Sequence, residues 1–278
     1  MKRVVAWTLI LSTAALLMPL VGGCHSEVPG TGTRLTDAAG SQFNWKGTIA
    51  QGGVIEIKGL NGDVRAVPAS GPETEVSATK RGRRSNPDDV QIKVLEHPGG
   101  VTICAVYPSG DASRANLCEP GEAAPMSVNN NDVEVDFEVR VPASVRFVGR
   151  TVNGEVKAKS LAGDAEGYSK QGDVEISTNG LARASTSNGS IDVTFKGTSW
   201  ADTLVFETSN GNITLGLPAD LNAKVEAQTQ TGNIKSAFSL SAVPTAPPAK
   251  TLEGTIGTGA NRLIVKTTSG NIELNRVR

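Results

Sequence analysis

The sequence predicts an all-β protein, a single-domain β-helix-like solenoid of short strands in coils of about 20 residues. Three observations predict this fold. Apolar and polar residues alternate in short runs from residue 53 onward, a polar-glycine turn returns at similar intervals, and no helical period of comparable length follows the first two dozen residues. An antiparallel β-sandwich or meander is the alternative, because ordinary hairpins also use Asn-Gly turns.

Residues 1–23 are predicted to be a lipoprotein signal peptide. Lys2 and Arg3 precede the apolar run Val4 to Leu20, and small residues then lead to Cys24. This layout resembles the bacterial lipoprotein signal, which implies that Cys24 is acylated and becomes the first mature residue. An uncleaved membrane anchor is the alternative, although Pro19 and the Gly-Gly-Cys flank argue against it.

Residues 24–43 are predicted to form a flexible tether, because they are mainly polar, rich in Gly and Pro, and without period. The solenoid domain is expected over residues 44–278. His25, rather than Asp, follows the cysteine, which favours outer-membrane sorting in an organism with two membranes.

Period-two strands begin with Gly53 to Lys58 and are clearest in the run from Val133 to Val141. In that run the valines and Phe137 share one face, and mainly carboxylates occupy the other. A solvated strand face explains the carboxylates better than acid/base chemistry does.

The turn consists of a polar residue, a glycine, one further residue, and then Val or Ile. Its copies are Asn61-Gly62, Asn153-Gly154, Gln171-Gly172, Asn188-Gly189, Asn210-Gly211, Thr231-Gly232 and Ser269-Gly270. From Gly154 onward the glycines are 18, 17, 22, 21 and 38 residues apart, so the last gap predicts two coils, one of them degenerate across Gly254 to Gly259.

Backbone geometry explains these residue types. A sharp corner favours φ > 0, which glycine adopts without steric cost and asparagine tolerates. The Val or Ile that follows points inward, and Thr and Asn before the corner hydrogen-bond along the stack. Replacing Gly189 or Gly211 with Val is therefore expected to destabilise the fold.

These strand and turn motifs resemble those of the bacterial putative adhesin family, a family of exported or membrane-associated domains of unknown function. The resemblance runs from about Asn44 to the C-terminus and rests on the entry Gly53 to Val64, on Val139-Arg-Val-Pro142 and on the later Asn-Gly coils. It implies a β-helix-like stack and no catalytic residues. The segments 104–118 and 243–250 depart from the repeat, and the second is expected to be a surface loop.

Export would place the two remaining cysteines in an oxidising compartment. We therefore predict a disulfide between Cys104 and Cys118, worth about 3 kcal/mol in the chain-entropy model. A redox or metal role is the weaker alternative, since the spacing is not CxxC and no histidine is nearby.

Composition excludes several classes of function. A net charge of −1 provides no broad positive field for nucleic acid. There are two histidines, His97 is expected in a turn, and no phosphate-binding glycine loop precedes a helix. No cofactor or metal is expected.

The basic run Lys80 to Arg84 is interpreted as a solvated loop rather than a site for lipid head groups or polysaccharide. Trp45 and Trp200 fit a role in filling gaps as well as one in stacking on sugars.

These observations predict a lipid-anchored cell-envelope protein, not an enzyme, that serves as an adhesin-like or scaffold module. Its expected partners are membrane lipid through Cys24 and an envelope protein or polysaccharide. The alternative is a carbohydrate-binding or polysaccharide-active β-helix, in which Asp173 and Glu175 would work near Lys157 or Lys170.

Overall fold

The structure, a computed structural model, describes residues 33–35, 41–122 and 126–277. The predicted signal peptide, Cys24 and His25 lie outside the described residues, so those predictions stay predictions. The predicted tether, residues 24–43, contains one short strand at Thr33–Leu35 and ends inside the next strand.

The described chain is built from strands and one short 3₁₀ turn at Pro87–Asp89. The strands are β1 Thr33–Leu35, β2 Gln42–Gly47, β3 Val54–Lys58, β4 Val64–Pro68, β5 Thr74–Arg81, β6 Gln91–His97, β7 Gly100–Val106, β8 Glu134–Val141, β9 Arg146–Arg150, β10 Val156–Leu161, β11 Ala165–Tyr168, β12 Val174–Thr178, β13 Ala182–Asn188, β14 Ile191–Phe195, β15 Leu204–Asn210, β16 Ile213–Pro218, β17 Ala223–Thr231, β18 Ile234–Ser236, β19 Ser241–Val243, β20 Lys250–Ile256, β21 Asn261–Ser269 and β22 Ile272–Val277.

Two sheets enclose the core. Sheet I has twelve strands in the order β1-β6-β7-β3-β9-β11-β13-β15-β21-β17-β20-β19, and sheet II has ten in the order β18-β22-β16-β14-β12-β10-β4-β8-β5-β2. Each coil gives one strand to sheet I and one to sheet II, and neighbouring coils pair in parallel. The predicted β-solenoid is therefore confirmed, with two strands in each coil.

Alternation of side chains creates the core between the sheets. In β8 the predicted inward face, Val135, Phe137, Val139 and Val141, is buried, while Glu134, Glu138 and Arg140 on the other face are exposed. The same alternation recurs in β12, β13 and β14. Because the chain has few aromatic residues, Val, Ile, Leu and Ala supply most of this core.

The coils do not stack in the order in which the chain visits them. From one end to the other the order is β7/β8, β3/β4, β9/β10, β11/β12, β13/β14, β15/β16, β21/β22 and β17/β18. The last coil of the sequence thus lies between two earlier ones, with β21 parallel to both β15 and β17.

This order corrects the interpretation of the 38-residue gap between the last two turn glycines. The stretch across Gly254 to Gly259 is not a degenerate coil. Its first half is the end of β20, which runs antiparallel to β17 near the edge of sheet I and has no counterpart strand in the described part of sheet II. The spacing of the turn glycines shows that one turn is missing from this gap. It does not show that the chain reverses direction there.

Antiparallel strands terminate the parallel stack. Strands β6 and β1 continue sheet I beyond β7, β5 and β2 continue sheet II beyond β8, and β20 and β19 continue sheet I beyond β17. These strands cover edges of the coils that would otherwise expose unpaired backbone groups. Strands β1 and β2 place the start of the domain at the same end of both sheets.

Candidate functional site

The corner residues predicted from the repeat form one continuous column. Isolated parallel bridges join Asn61 to Asn153, Asn153 to Gln171 and Gln171 to Asn188. The side-chain amide of Asn153 donates to the side-chain oxygen of Asn61 at 2.8 Å, and Asn210 makes the same bond to Asn188. The column satisfies polar groups between coils, which is a structural role.

The corner glycines stack so closely that no side chain fits between them. A Cβ added at Gly154 would lie 2.0 Å from the carbonyl oxygen of Gly62, and one at Gly211 would lie 1.9 Å from that of Gly189. Gly211 has φ +156°, as predicted for a left-handed corner, whereas the φ of Gly189 lies outside that region. Gly189 shares with the other corners the close approach to a carbonyl of the neighbouring coil. The prediction that explained these glycines by φ alone is therefore corrected. The remaining predicted turn glycines, Gly172, Gly232 and Gly270, show the same contact.

The threonines before the corners act as predicted. Thr208 Oγ1 donates to the carbonyl oxygen of Gly189 at 2.9 Å, and Thr186 makes the equivalent bond to Gly172. The further pairs in this column are Thr151 to Gly62, Ser169 to Gly154, Thr267 to Gly211 and Thr229 to Gly270. Each hydroxyl therefore satisfies a carbonyl of the neighbouring coil.

Of the residues considered for acid/base chemistry, only Lys157 of β10 and Glu175 of β12 are neighbours, as register partners on the outward face of sheet II. Asp173 accepts the backbone N–H of Ser190 at 2.7 Å, so its carboxylate belongs to the corner column. Glu175 lies on the outward face of sheet II, 3.1 Å from Lys159. Lys157 pairs with Glu155, and Lys170 is exposed in the turn before β12.

The structure joins Cys104 of β7 to Cys118 in a disulfide, with Cα atoms 5.6 Å apart. The pair connects sheet I to the segment that departs from the repeat. This geometry agrees with the pairing predicted from the sequence.

The basic run is largely paired or buried. Lys80 is buried and its Nζ donates to the carbonyl of Val90 at 3.2 Å. Arg81 pairs with Asp136 of β8, and the Nε of Arg84 lies 3.2 Å from Asp132. Lys80 and Arg81 belong to β5, which corrects the predicted solvated loop, and most of the positive charge of the run is compensated locally, which favours a structural role over anion binding.

His97 and the two tryptophans also have local roles. His97 Nε2 lies 3.1 Å from Thr102 Oγ1, and its Nδ1 accepts the N–H of Gly99, so it stabilises a turn as expected. Trp45 shares the inward face of β2 with Phe43 and packs against the core. Trp200 is buried and its Nε1 donates to the carbonyl of Arg262. Both rings fill gaps rather than form sugar platforms.

The best candidate for a ligand site is a groove on the outward face of sheet II, which we call the sheet II groove. It crosses β2, β5, β8 and β4 and has a volume of about 550 Å³. The outward-pointing side chains that line it are Asn44, Lys46, Arg65, Val67, Glu75, Ser77, Glu138 and Arg140. Exposed charged groups therefore surround one exposed apolar side chain, Val67.

Opposite charges alternate across the groove. Glu75 lies 3.4 Å from Lys46 and 3.6 Å from Arg140, and Arg65 lies 2.6 Å from Asp63. Hydrogen bonds to Glu73 and Glu75 raise the pKa of Lys46. Ion pairs between exposed groups contribute little to stability, so a ligand can displace them at low cost. The groove thus offers donors and acceptors to an extended polar ligand.

The separate strands give little indication of this groove. Its lining comes from four strands between Asn44 and Arg140 that meet only because β8 lies beside β4 and β5. Each strand alone shows the ordinary alternation of a solvated sheet face. Arg65, Glu138 and Arg140 come together only because of the way in which the strands pair. That pairing cannot be read from a single sequence.

Two features are absent from the described part of the chain, a metal-binding cluster and a membrane-spanning helix. There, no cluster of three or more His, Cys, Asp or Glu side chains could hold a metal ion. Within the same residues, no helix has the length and hydrophobicity needed to span a membrane.

The fold and its corners define the class of protein, a two-sheet β-solenoid with Asn-Gly turns. The model of the Toastrack DUF4097 family matches residues 147–275, the part that runs from β9 to β22. This match agrees, for that segment, with the predicted resemblance to a family of domains of unknown function. No curated protein matches the chain.

Three crystal structures of bacterial proteins are similar in fold. A putative cell adhesion protein from Clostridium sporogenes has 12% identity and a TM-score of 0.44, over 85% of this chain and 100% of its own. A putative adhesin from Bacteroides fragilis has 10% identity and a TM-score of 0.32, over 85% and 97%. A putative adhesin from Parabacteroides distasonis has 11% identity and a TM-score of 0.24, over 85% and 98%.

Proposed function

We propose that this protein is a lipid-anchored adhesin-like module of the cell envelope that binds its partner in the sheet II groove and has no catalytic activity. The observation that carries the proposal is the groove itself, an open sheet face on which exposed Arg65, Arg140 and Lys46 alternate with Glu75 and Glu138. The carboxylates proposed for catalysis lie elsewhere and are individually paired.

The predicted anchor supports a location close to a membrane surface. If Cys24 carries lipid, only eight residues of sequence separate it from β1, so the domain begins close to the anchor along the chain. Strand β2, which lines the groove, lies at the same end of the stack as β1. The partner is therefore expected in the layer next to the membrane, on the periplasmic side if the organism has two membranes.

A glycan is the second candidate for the ligand. Glu75, Glu138, Arg65 and Arg140 converge in one groove, the combination of carboxylates and cations that the carbohydrate hypothesis requires, although at other residues than those first considered. Donors and acceptors of this kind suit vicinal hydroxyl groups. Trp45 is the one aromatic residue of the lining and lies on the inward face of β2, so the observations favour a protein or other polar polymer over a neutral sugar.

Crosslinking in living cells, followed by identification of the captured material, tests the proposal. The full-length protein should capture one dominant partner, and an Arg65→Glu/Arg140→Glu variant should lose about tenfold or more of this capture. A Lys224→Glu/Lys235→Glu variant is the matched control, because both lysines are exposed and lie at the other end of the stack.

The anchor is tested in the same cells with Cys24→Ser, which should move the protein from the membrane to the soluble fraction. A variant that remains membrane-bound would show that the signal is an uncleaved anchor. Capture that survives the groove substitutions would place the binding site elsewhere, and capture of glycan alone would support the carbohydrate alternative.

A further inference from the structure

A segment outside the repeat covers part of the outward face of sheet I. Residues 108–122, which we call the strap, leave β7 and cross β3, where the carbonyl of Glu119 accepts the Nζ of Lys58 and the N–H of Gly121 donates to Glu56 Oε2 at 2.8 Å. The corresponding outward face of sheet II carries no such cover at β4 and β8, where the groove is open.

The strap buries two charged side chains that would otherwise face solvent. Glu56 and Lys58 point outward from β3, yet they are only 4% and 8% exposed. Glu56 also accepts the Nε of Arg150 at 2.9 Å and the hydroxyl of Thr102 at 3.2 Å. Burial lowers the pKa of Lys58, and the neighbouring Glu56 partly offsets this effect. Beneath the strap there is thus a preformed polar patch.

The strap itself contributes no buried side chain. Every side chain from 108 to 122 is exposed or partly exposed, and its one large apolar residue, Leu117, is 59% exposed. Besides the two bonds to Glu56 and Lys58, Asn116 donates to the carbonyls of Tyr107 and Ser127 and accepts the N–H of Ser127, and the N–H of Gly110 donates to the carbonyl of Ser127. A segment with so few buried contacts has little stability of its own, so the disulfide between Cys118 and Cys104 is its main attachment to sheet I.

The two sulfur atoms differ in accessibility. Cys104 lies on β7 and is completely buried, whereas Cys118 on the strap is partly exposed. A thiolate can therefore approach the sulfur of Cys118, with Cys104 as the leaving group.

We propose that the Cys104–Cys118 disulfide is a site of thiol–disulfide exchange whose reduction by a dithiol releases the strap and uncovers the patch of Glu56, Lys58 and Arg150. The dithiol's first thiolate attacks Cys118 Sγ, the Sγ–Sγ bond breaks, and Cys104 leaves as a thiolate that takes up a proton. The second thiol of the reductant then displaces Cys118, which is released as a thiol. The protein gains two electrons and two protons, and the reductant becomes a disulfide.

This exchange gives sheet I a face that differs between the two redox states. With the disulfide intact, the Nζ of Lys58 is held by the strap and closed to solvent. Once the strap leaves, Lys58 and the Arg150–Glu56 pair form an open polar surface. The core between the sheets does not change, because no side chain of the strap is part of it.

Acylation of lysines in the full chain, followed by peptide mass spectrometry, tests the proposal. Treatment with dithiothreitol should raise the acylation rate of Lys58 by about tenfold or more, and should accelerate hydrogen exchange at Gly121. Lys159, which is 57% exposed, is the internal reference and should not change. A Cys104→Ala/Cys118→Ala variant should show the fast rate without reductant, whereas Leu117→Ser should behave as the parent protein.

Two results would overturn the proposal. Two titratable thiols in the protein before reduction would mean that no disulfide holds the strap. Complete reduction without a change at Lys58 would mean that the remaining polar contacts are sufficient to hold it. If the alanine variant fails to fold, the reduction of the parent protein still decides between these outcomes.

Discussion

At the scale of single residues, the corner glycines decide whether two coils can stack. The sequence shows why glycine suits a corner, but it does not show that each corner glycine also lies against a backbone carbonyl of the neighbouring coil. Gly189 separates the two causes, because it shares the close approach without a left-handed φ. The repeat therefore predicts that the corner residue is glycine. The main physical reason, the close contact between neighbouring coils, is visible only in the stacked structure.

Gly189→Ala is expected to lower the free energy of unfolding by about 2–4 kcal/mol, because its Cβ would lie 2.2 Å from the carbonyl oxygen of Gly172. Denaturant unfolding followed by circular dichroism measures the change. Gly71→Ala is the control, since no atom lies within 4 Å of the added carbon, and it should be neutral. Equal stability of the two variants would show that the coils can separate enough to admit a methyl group.

At the scale of elements, loops attach to strands through a few charged contacts. Asp132, just before β8, accepts the N–H of Ser85 at 2.9 Å, the N–H of Arg84 and the Nε of Arg84. These bonds connect the loop after β5 to the start of β8. The strands themselves follow from alternation, and β8 was predicted residue by residue, but alternation contains no information on which carboxylate fixes a loop.

The bonds to Asp132 predict a dependence of stability on pH. The backbone N–H of Ser85, followed by the contacts from Arg84, lowers the pKa of Asp132 in the folded state. Its contribution is therefore complete above the unfolded pKa of about 3.9 and is lost as the pH falls further. Asp132→Asn should be less stable than the parent at pH 7, and the difference should shrink toward pH 2.

Thermal unfolding at a series of pH values checks this prediction. Asp202→Asn is the matched control, because Asp202 is exposed and makes none of the described hydrogen bonds. A constant difference between Asp132→Asn and the parent across the whole pH range would contradict the assignment.

At the scale of the whole molecule, chain order and spatial order differ at both ends of the stack. The coil β7/β8 lies outside β3/β4, although it is made later, and β21/β22 lies inside β17/β18, although it is made last. A repeat predicts that coils exist and what their corners look like. It does not predict which coils pack side by side, because all corners have the same polar-glycine chemistry. The sheet II groove depends on the packing order of the coils, so the sequence does not predict it.

Ending the chain after residue 259 tests this order. In a sequential stack the truncation would remove only an end coil and leave a folded protein. Here it removes β21 and β22 from between β15/β16 and β17/β18, so both flanking coils lose a partner. We expect loss of cooperative unfolding and of soluble yield, measured by circular dichroism and sedimentation. A soluble product with a sharp transition would show that β17/β18 can dock directly on β15/β16.

The corner column also bears on the chemical ageing of the protein. Asn-Gly is the dipeptide most prone to deamidation, which begins when the glycine nitrogen attacks the asparagine side chain. In the stack that nitrogen is engaged, since the N–H of Gly154 donates to Gln171 and that of Gly211 to Ser269, both at 2.9 Å. Folding should thus slow deamidation at the stacked Asn-Gly corners. A chain that stays unfolded would accumulate aspartate and isoaspartate there, at the asparagines whose side-chain amides join neighbouring coils.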